Sequence, residues 1–380
     1  LEGYPADGAQ ELAIQDTPRV LKKAYATRNE YMTRFVDAFV EHDFKKVYFL
    51  GSGTSNHVSM VIKNLFVELL HVEGVACAPT LFTYHENPNP SGIFKKEEIC
   101  VIGFSQHGDS ISTCEAVKKA ADDGYFTIAV TEQLNSVLEE LADVYCHLVC
   151  EEEEIGPETR GYTETIFQFY IQAIEIARRK KLIDQAYYQQ LDEAAKALPD
   201  NLEIVVNESI DWYNRNKEEF YQMTKSSIAG YGLNYPTALE SRLKFFETYS
   251  RPCTGYEMEE QMHGPMRAYN QDNYIFMIAS EGRKELERLK ELVPYYKDVF
   301  TKHVFVVTCE EDVASSERDL KFSVKTTDLL SPILYVIPFQ VLSALICEDT
   351  GIDTKVSPVK KRYVSSHYPS LRHGNVEETK

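Results

Sequence analysis

Two ionisable residues suited to proton transfer, Glu247 and His263, lie in one stretch of the chain. A carboxylate can remove a proton from carbon and an imidazole can deliver one near neutral pH, so the pair fits general acid–base chemistry. On one continuous helix the 16 intervening steps would separate them by about 24 Å. Pro252 and Gly255 instead predict a broken loop between them. Two alternatives follow: the loop folds His263 back toward Glu247, or a second subunit supplies one of the pair.

A lysine lies close to this candidate base. Lys244 precedes Glu247 by three residues on a predicted helix, a spacing at which opposite charges pair. Such a pair would favour the carboxylate form that a base needs. His263 is not part of an H-x-x-x-H pattern, and His57 and His107 fall in different predicted elements. We therefore expect no metal and no other cofactor.

Two groups of small polar residues follow consecutive predicted strands. The first polar turn contains Gly51, Ser52, Gly53, Thr54 and Ser55, and the second polar turn (105–110) contains Ser105, Gln106, His107 and Ser110. Each turn opens a predicted helix, whose N-terminal N–H groups attract anions. Hydroxyl and amide groups there fit a phosphate and sugar hydroxyls better than a dinucleotide. Each turn alone could be ordinary turn chemistry, but open parallel sheets bind ligands at this edge.

Neither polar turn matches a nucleotide-binding pattern. Both lack G-x-G-x-x-G and G-x-x-x-x-G-K-[ST], which argues against nicotinamide dinucleotides and nucleoside triphosphates. The chain also lacks G-x-S-x-G, the nucleophile turn of many hydrolases.

Strands alternate with helices in both halves of the chain. The predicted strands are 46–50, 75–84, 98–104, 126–130 and 145–149 in the first half, and a segment from Ser226, 274–279, 303–308 and 321–326 in the second. This alternation predicts parallel pairing and right-handed crossovers. The fold class is therefore α/β, with two doubly wound, flavodoxin-like parallel-sheet lobes and a helical connector.

The connector and the domain borders follow from the same pattern. Helices are predicted at 163–180, 184–197 and 202–217, and the acidic residues 151–154 are interpreted as a solvated charge run. We expect an N-terminal helical segment at 1–44, a first domain at 45–180, a connector at 181–218, a second domain at 219–350 and a C-terminal tail at 351–380.

Composition limits the class of protein. The 380 residues, 43% of them hydrophobic, carry a formal net charge of -19, which argues against nucleic acid or an anionic membrane as partner. The sequence contains no uninterrupted apolar run of 18 residues and no signal-peptide pattern, so we expect neither membrane insertion nor secretion. Eight scattered cysteines without C-x-x-C are typical of reduced thiols in a cytoplasmic protein.

The polar turns, with a second lobe beginning at Gly230-Tyr-Gly232, resemble the double sugar-isomerase (SIS) domain over about residues 20 to 365. The strongest matches are Tyr235-Pro-x-Ala-Leu-Glu240, Leu243-Lys244-x-x-Glu247 and His263-Gly-Pro265. The resemblance is closest to the isomerase half of glucosamine-6-phosphate synthase and to the deglycases that split fructosamine 6-phosphates.

The resemblance implies roles for these residues. The residue matching Glu247 moves a proton between C1 and C2 of an open-chain sugar, and the histidine matching His263 reaches in from the neighbouring subunit as an acid or ring-opening catalyst. Ser52, Thr54, Ser105, Gln106 and Ser110 match positions that hold the phosphate and hydroxyls, and Thr159 matches a further sugar contact. The implied partners are a small sugar phosphate and a second copy of the chain, in a homodimer or higher oligomer with a shared active site.

Three departures from the synthase pattern bear on function. The synthase has a glutaminase domain with an N-terminal cysteine, whereas this chain begins Leu-Glu-Gly and has no cysteine before Cys77, so we expect a fragment or a different enzyme. His107 replaces a small serine and should alter the substrate pocket. In the C-terminal tail, Arg362 falls at the position of the family's active-site lysine with Lys361 beside it, which leaves that role open.

These observations predict a phosphosugar-processing enzyme that lacks a glutaminase domain. The first hypothesis is a deglycase that cleaves a fructosamine-type 6-phosphate into an aldose 6-phosphate and a free amine. The alternatives are a ketose/aldose isomerase or aminosugar-phosphate deaminase, and a catalytically silent phosphosugar sensor that binds a protein partner. The presence of both Glu247 and His263 argues against the sensor.

Overall fold

The computed structural model describes residues 9–153, 157–280 and 284–354. The strands in these ranges are β1 (Lys46–Leu50), β2 (Glu73–Cys77), β3 (Ile99–Phe104), β4 (Phe126–Thr131), β5 (Val144–His147), β6 (Ser226–Gly230), β7 (Cys253–Glu257), β8 (Tyr274–Ala279), β9 (Val304–Thr308) and β10 (Leu320–Lys321). The α-helices are α1 (Ala9–Ala26), α2 (Arg28–Tyr31), α3 (Thr33–Glu41), α4 (Thr54–Leu70), α5 (Pro79–His85), α6 (Ile111–Asp122), α7 (Val137–Leu141), α8 (Arg160–Arg179), α9 (Gln185–Phe220), α10 (Tyr235–Glu247), α11 (Met258–Met262), α12 (Lys284–Val299), α13 (Ser331–Tyr335) and α14 (Ile337–Thr350).

The first compact unit comprises residues 23–152 and 164–192. Its five parallel strands are ordered β2-β1-β3-β4-β5. Every residue of β1 and β3 is buried, as expected for strands of a parallel sheet that is covered on both faces. Leu50 pairs with Gly103, so the turns that follow β1 and β3 leave the sheet side by side.

The second compact unit comprises the described residues in 9–22, 153–163 and 193–354. Its parallel strands are ordered β10-β9-β8-β6-β7. Read from β7, the spatial order is β7-β6-β8-β9-β10. The second strand of the unit therefore lies at the edge and the first strand lies next to it, as in the other sheet. The prediction of two doubly wound, flavodoxin-like lobes is therefore confirmed.

The division into compact units differs from the contiguous borders drawn from the sequence. Residues 9–22 belong to the second unit, where Asp16 pairs with Arg160 at 3.2 Å and Lys22 with Asp200 at 2.8 Å. The N-terminal helix thus contributes to a unit whose sheet begins at Ser226.

Three kinds of predicted element differ from the structure, and the first is the pair of strands at 75–84 and 321–326. Only Glu73–Cys77 is a strand, and α5 begins at Pro79. Proline is favoured in the first turn of a helix, because its fixed φ suits the helix and its missing N–H would have no helical acceptor there. The strand predicted at 321–326 is likewise short, since pairing stops at Lys321.

The second difference is the helical connector. The break expected between 197 and 202 is absent, and α9 runs continuously from Gln185 to Phe220 with Pro199 inside it. Leu191, Ala195, Leu198, Leu202 and Val205, at helical spacing on both sides of the proline, are all buried. Packing of this apolar face outweighs the hydrogen bond that the proline removes.

The third difference concerns the loop expected around Pro252 and Gly255. Gly255 lies inside β7, paired with Ile228 of β6. A Cβ at this position would lie 3.0 Å from the carbonyl oxygen of Ala238, so the glycine lets α10 pack closely on the strand.

The stretch Asp328–Thr350 is long and apolar enough to cross a membrane by composition, but 94% of its apolar window is buried inside the protein. It forms α13 and α14 and behaves as core. All eight cysteines are free thiols, and seven of them are buried.

Candidate active site

The two polar turns of the first unit meet at the carboxyl ends of β1 and β3. The strand order changes direction between these neighbours, which is the switch point where open α/β sheets bind ligands. Helices α4 and α6 begin directly after the two turns, at Thr54 and Ile111. The Oγ atoms of Ser52 and Ser112 lie 3.5 Å apart and connect the first polar turn to the start of α6.

Glycines make this close approach possible. A Cβ on Gly51 would lie 2.6 Å from the backbone of Ser55. Gly53, the residue before α4, has φ 58° and ψ −129°, a conformation that glycine adopts readily. Gly108 has φ +68°, and a Cβ there would overlap Ser136.

The polar side chains of the turns differ in exposure. Ser52 and Gly53 are exposed, and Thr54, Ser55, Gln106 and Ser110 are half-buried. Ser105 is buried, and its Oγ accepts a weak 3.5 Å bond from the Ser110 N–H. The sequence-predicted group is therefore brought together around two helix N-termini, and the structure adds Ser112. His107 is exposed, and its effect on a substrate pocket remains a prediction.

In the second unit, α10 carries a buried lysine between two glutamates. Lys244, 1% exposed at its side chain, places Nζ 2.6 Å from Glu247 Oε2 and 3.4 Å from Glu240 Oε1. The Glu240 side chain is fully buried, whereas that of Glu247 is 36% exposed. Of the two carboxylates, Glu247 is therefore the one that a dissolved molecule can reach.

The lysine remains charged at this site. Burial alone lowers the pKa of Lys244. The carboxylates of Glu240 and Glu247 raise it by more than burial lowers it, so the net pKa lies above its ordinary value. A permanent cation thus holds the Glu247 carboxylate in place and provides its counter-charge.

The segment before α8 approaches the same lysine. Lys244 Nζ donates a 2.9 Å hydrogen bond to the carbonyl oxygen of Glu158. The next residue, Thr159, is buried, and its hydroxyl donates to Glu153 at 3.0 Å. The predicted sugar contact of Thr159 remains a prediction, because in this structure its hydroxyl is already engaged.

Glu153 does not behave as part of a solvated charge run. Its carboxylate accepts hydrogen bonds from the N–H groups of Thr159, at 3.0 Å, and Gly161, at 2.8 Å. The first N–H groups of a helix have no acceptor within the helix, so an anion at this position stabilises the start of α8. The solvated interpretation of Glu153 is therefore wrong.

His263 and Glu247 are not brought together within the second unit. Glu247 ends α10 shortly before β7, whereas His263 follows β7 and the short helix α11. Five strand residues span about 16 Å, so the two side chains lie toward opposite ends of β7. His263 is exposed, and its imidazole contacts no hydrogen-bond partner among the described residues. Of the two sequence alternatives, this separation favours supply by a second subunit, which remains a prediction.

Sequence reasoning missed the site roles of Glu240, Glu153 and Glu158. Glu240 was visible only as a letter in the matched pattern, although its four-residue spacing from Lys244 is a signal for pairing. Glu158 is 86 residues from Lys244, so only the tertiary structure shows them together. Lys361 and Arg362 lie outside the described residues.

Comparison with known proteins places the chain in a family. The family model for the SIS domain matches residues 42–174 and 219–345. The chain is 24% identical over 355 residues to the glutamine–fructose-6-phosphate aminotransferase (isomerizing) of Thermococcus kodakarensis, an alignment that covers 90% of this chain and 55% of that protein. The chain thus spans about half the length of the curated relatives that it matches.

Solved structures give the same result. A candidate phosphosugar isomerase from Clostridium difficile 630 superposes with a TM-score of 0.85 at 25% identity, covering 97% of this chain and 100% of that one. The C-terminal domain of glucosamine-fructose-6-phosphate aminotransferase from Francisella tularensis has a TM-score of 0.78 at 19% identity, covering 93% and 99%. With its two matched segments on two sheets of equal strand order, the chain belongs to the SIS-domain family and carries that domain twice.

Proposed function

We propose that this protein is a deglycase for a sugar 6-phosphate whose C1 carries an amine, such as an amino acid. The observation that carries the proposal is the Lys244–Glu247 pair, in which a buried cation holds an accessible carboxylate. Removal of a proton from carbon next to a carbonyl needs a positioned carboxylate of this kind. The likeness to phosphosugar-processing proteins supports a sugar phosphate as the substrate class.

The polar turns would bind the phosphate. Two helix N-termini with hydroxyl groups between them provide N–H and O–H donors for phosphate oxygens. Binding energy from a phosphate remote from C1 orients the reacting carbons.

Glu247 would then carry the proton between carbons. It removes a proton from C1 while the C2 carbonyl oxygen gains one, which gives an enaminol. It returns the proton to C2 while the nitrogen releases its proton to solvent, which offsets the proton taken up by the C2 oxygen. The product is an imine at C1, and water adds to that imine. Cleavage of the C1–N bond then releases the amine and an aldose 6-phosphate. His263, supplied by a partner subunit, would protonate the ring oxygen of the cyclic sugar and open it.

The test is product formation by the protein and its Glu247→Gln variant. We expect amine and aldose 6-phosphate from fructosamine 6-phosphates, and a loss of about 100-fold or more in the variant, because a positioned base contributes about that much. Mass spectrometry of the products identifies both halves. Near-normal amine release by a folded Glu247→Gln protein would refute the assignment.

The shared site has a separate test. Glu247→Gln subunits mixed with His263→Ala subunits should regain part of the activity, because a hybrid dimer contains one site with both native groups. Hybrid formation is measured by native mass spectrometry with two differently tagged chains. Confirmed hybrids without regained activity would place both residues of a site on one chain.

A phosphosugar isomerase is the second candidate, favoured by the likeness to the Clostridium difficile protein. An isomerase would carry out the same C1–C2 proton transfer but leave every bond to nitrogen intact. Interconversion of ketose and aldose 6-phosphates, without amine release from fructosamine phosphates, would favour it.

A further inference from the structure

Glu158 and the candidate base, Glu247, both contact Lys244. Its carbonyl oxygen accepts a hydrogen bond from Lys244 Nζ at 2.9 Å, and the same nitrogen lies 2.6 Å from Glu247 Oε2. Two glutamates from distant parts of the sequence are thus fixed to one buried nitrogen. The carbonyl group of Glu158 is held by the lysine that also pairs with Glu247, so the Glu158 side chain extends from a fixed backbone position near this ion pair.

The carboxyl group of Glu158 is not used by the fold. It is half-buried, and no described residue forms a hydrogen bond or ion pair with it. The neighbouring glutamates differ in this respect, because Glu240 is fully buried beside Lys244 and Glu153 accepts bonds from Thr159 and Gly161. Of these three, Glu158 has the carboxyl group that is free to contact a substrate.

The charges around Glu158 favour its protonated form. Burial, and then the negative charge of Glu153, raise the pKa of Glu158 to about 8, although Lys244 lowers it. Glu240 and Glu247 add smaller effects in the upward direction. Near neutral pH, the site therefore pairs an acid, Glu158, with a carboxylate base whose counter-ion is Lys244. Such pairs of titratable groups in different environments are typical of acid–base catalysis.

We propose that Glu158 is the acid that protonates the amine nitrogen of the substrate as the bond from C1 to nitrogen breaks. This role of Glu158 rests on the proposed deglycase function, in which Glu247 must contact the hydrogen on C1. The amine nitrogen is bonded directly to C1, so a carboxyl group that extends from a backbone held at Lys244 can reach that nitrogen. An excess of carboxylates also suits a substrate whose amine is cationic.

The proton balance of this step closes. Water adds to the C1 imine and gives a carbinolamine. The C1–N bond then breaks, the nitrogen takes the proton of Glu158, and the amine departs. The hydroxyl on C1 loses its proton to the Glu158 carboxylate as the aldehyde forms, which restores the acid. Under this assignment, the proposed role of His263 is to protonate the ring oxygen of the cyclic sugar.

The test separates enolisation from amine release. In D2O, Glu158→Gln should still exchange the C1 hydrogen of a fructosamine 6-phosphate at a rate within a few-fold of wild type, since Glu247 is intact. It should release amine about 100-fold more slowly or worse, the usual contribution of a general acid. NMR measures the exchange and a free-amine assay measures the release. Glu152→Gln, a neighbouring exposed glutamate, is the matched control and should retain both rates.

Each result assigns the failure to one claim. Amine release by Glu158→Gln within twofold of wild type overturns the role of Glu158 and leaves the deglycase proposal intact. Equal loss of exchange and release in that variant also overturns it, because a role confined to nitrogen would spare exchange. If the wild-type protein releases no amine from any fructosamine 6-phosphate but isomerises a ketose 6-phosphate, the proposed function itself fails. Glu158→Asp, which keeps the acid, should recover part of the release and guards against a misfolded glutamine variant.

Discussion

The two units have the same strand order but place their polar groups differently. In the first unit, the turn after β1 carries small hydroxyl residues and leaves the switch point of the sheet open to a ligand. In the second unit, the matching turn after β6 carries Tyr231, which is buried and donates a hydrogen bond to the Ser280 carbonyl oxygen. Asn234 in the same turn donates to Ser331 at 2.9 Å. The polar groups of the second turn thus stabilise the fold itself.

The second unit has its chemistry at the other end of the following helix. The first residues of α10 pack in the core, and its last turn carries Lys244 and Glu247. Sheet topology gives both units the same edge at the switch point, while the side chains decide whether that edge is open or filled. The first unit keeps small hydroxyl residues at this edge, whereas the second fills it with Tyr231 and Asn234 and carries its ion pair at the far end of α10.

The largest expected effect concerns that ion pair. Lys244→Met removes the cation beside fully buried Glu240, and we expect a loss of about 3–5 kcal/mol in the free energy of unfolding. The matched change in the first unit is Lys23→Met, which breaks the ion pair between exposed Lys23 and Glu151. It should lower the free energy of unfolding by at most about 1 kcal/mol. Urea denaturation measures both. A double variant, Lys244→Met with Glu240→Gln, should recover part of the loss, and equal costs for the two lysine variants would contradict the comparison.

Alanine substitution of Gly51 and of Gly230, which occupy matching turns, should separate loss of stability from loss of binding. A Cβ on Gly51 would lie 2.6 Å from the Ser55 backbone, and one on Gly230 would overlap the Asn234 carbonyl oxygen. Either alanine should reduce the free energy of unfolding by about 1–3 kcal/mol. Only Gly51→Ala should also weaken binding of glucose 6-phosphate, measured by titration calorimetry at a temperature where both variants are folded. Equal binding by the two variants would remove the first polar turn from the ligand site.

The smallest expected effect is the pH dependence due to Glu158. Its pKa rises from 4.5 in the unfolded chain to about 8 in the native protein, so between these values the native state binds a proton that the unfolded state releases. This contribution to stability is present below about pH 4.5 and is lost as the pH rises through about 8.

Glu158→Gln removes that titration. Its Tm should therefore fall less than that of wild type between pH 6 and pH 9, by a few degrees, as measured by calorimetry at both values. Identical pH profiles for the two proteins would show that the native carboxyl group titrates near its ordinary value.

Much of the fold was predictable because its signals are local. Continuous apolar runs such as Val47–Leu50 indicate buried parallel strands, and the small polar residues after β1 and β3 indicate the turns that open α4 and α6. The pairing of Lys244 with Glu247 was predictable from spacing on one helix.

The remainder depends on contacts between distant residues. Whether Pro199 ends a helix depends on how much apolar surface the flanking turns bury, which the local sequence does not state. The role of Glu153 required knowing which helix N-terminus lies within its reach. Glu158 became a candidate only because the tertiary fold brings Lys244 into contact with its carbonyl oxygen.

The length of β7 has a consequence for insertions and deletions. This five-residue strand separates the end of α10 from His263, so each residue added to it would move the histidine by about 3.3 Å and turn the following side chains to the other face of the sheet. Removing one residue would move the histidine by the same distance in the opposite direction and would also turn the following side chains to the other face. β7 thus sets the distance between the end of α10 and His263, and the number of residues in the strand should tolerate change less well than their identity.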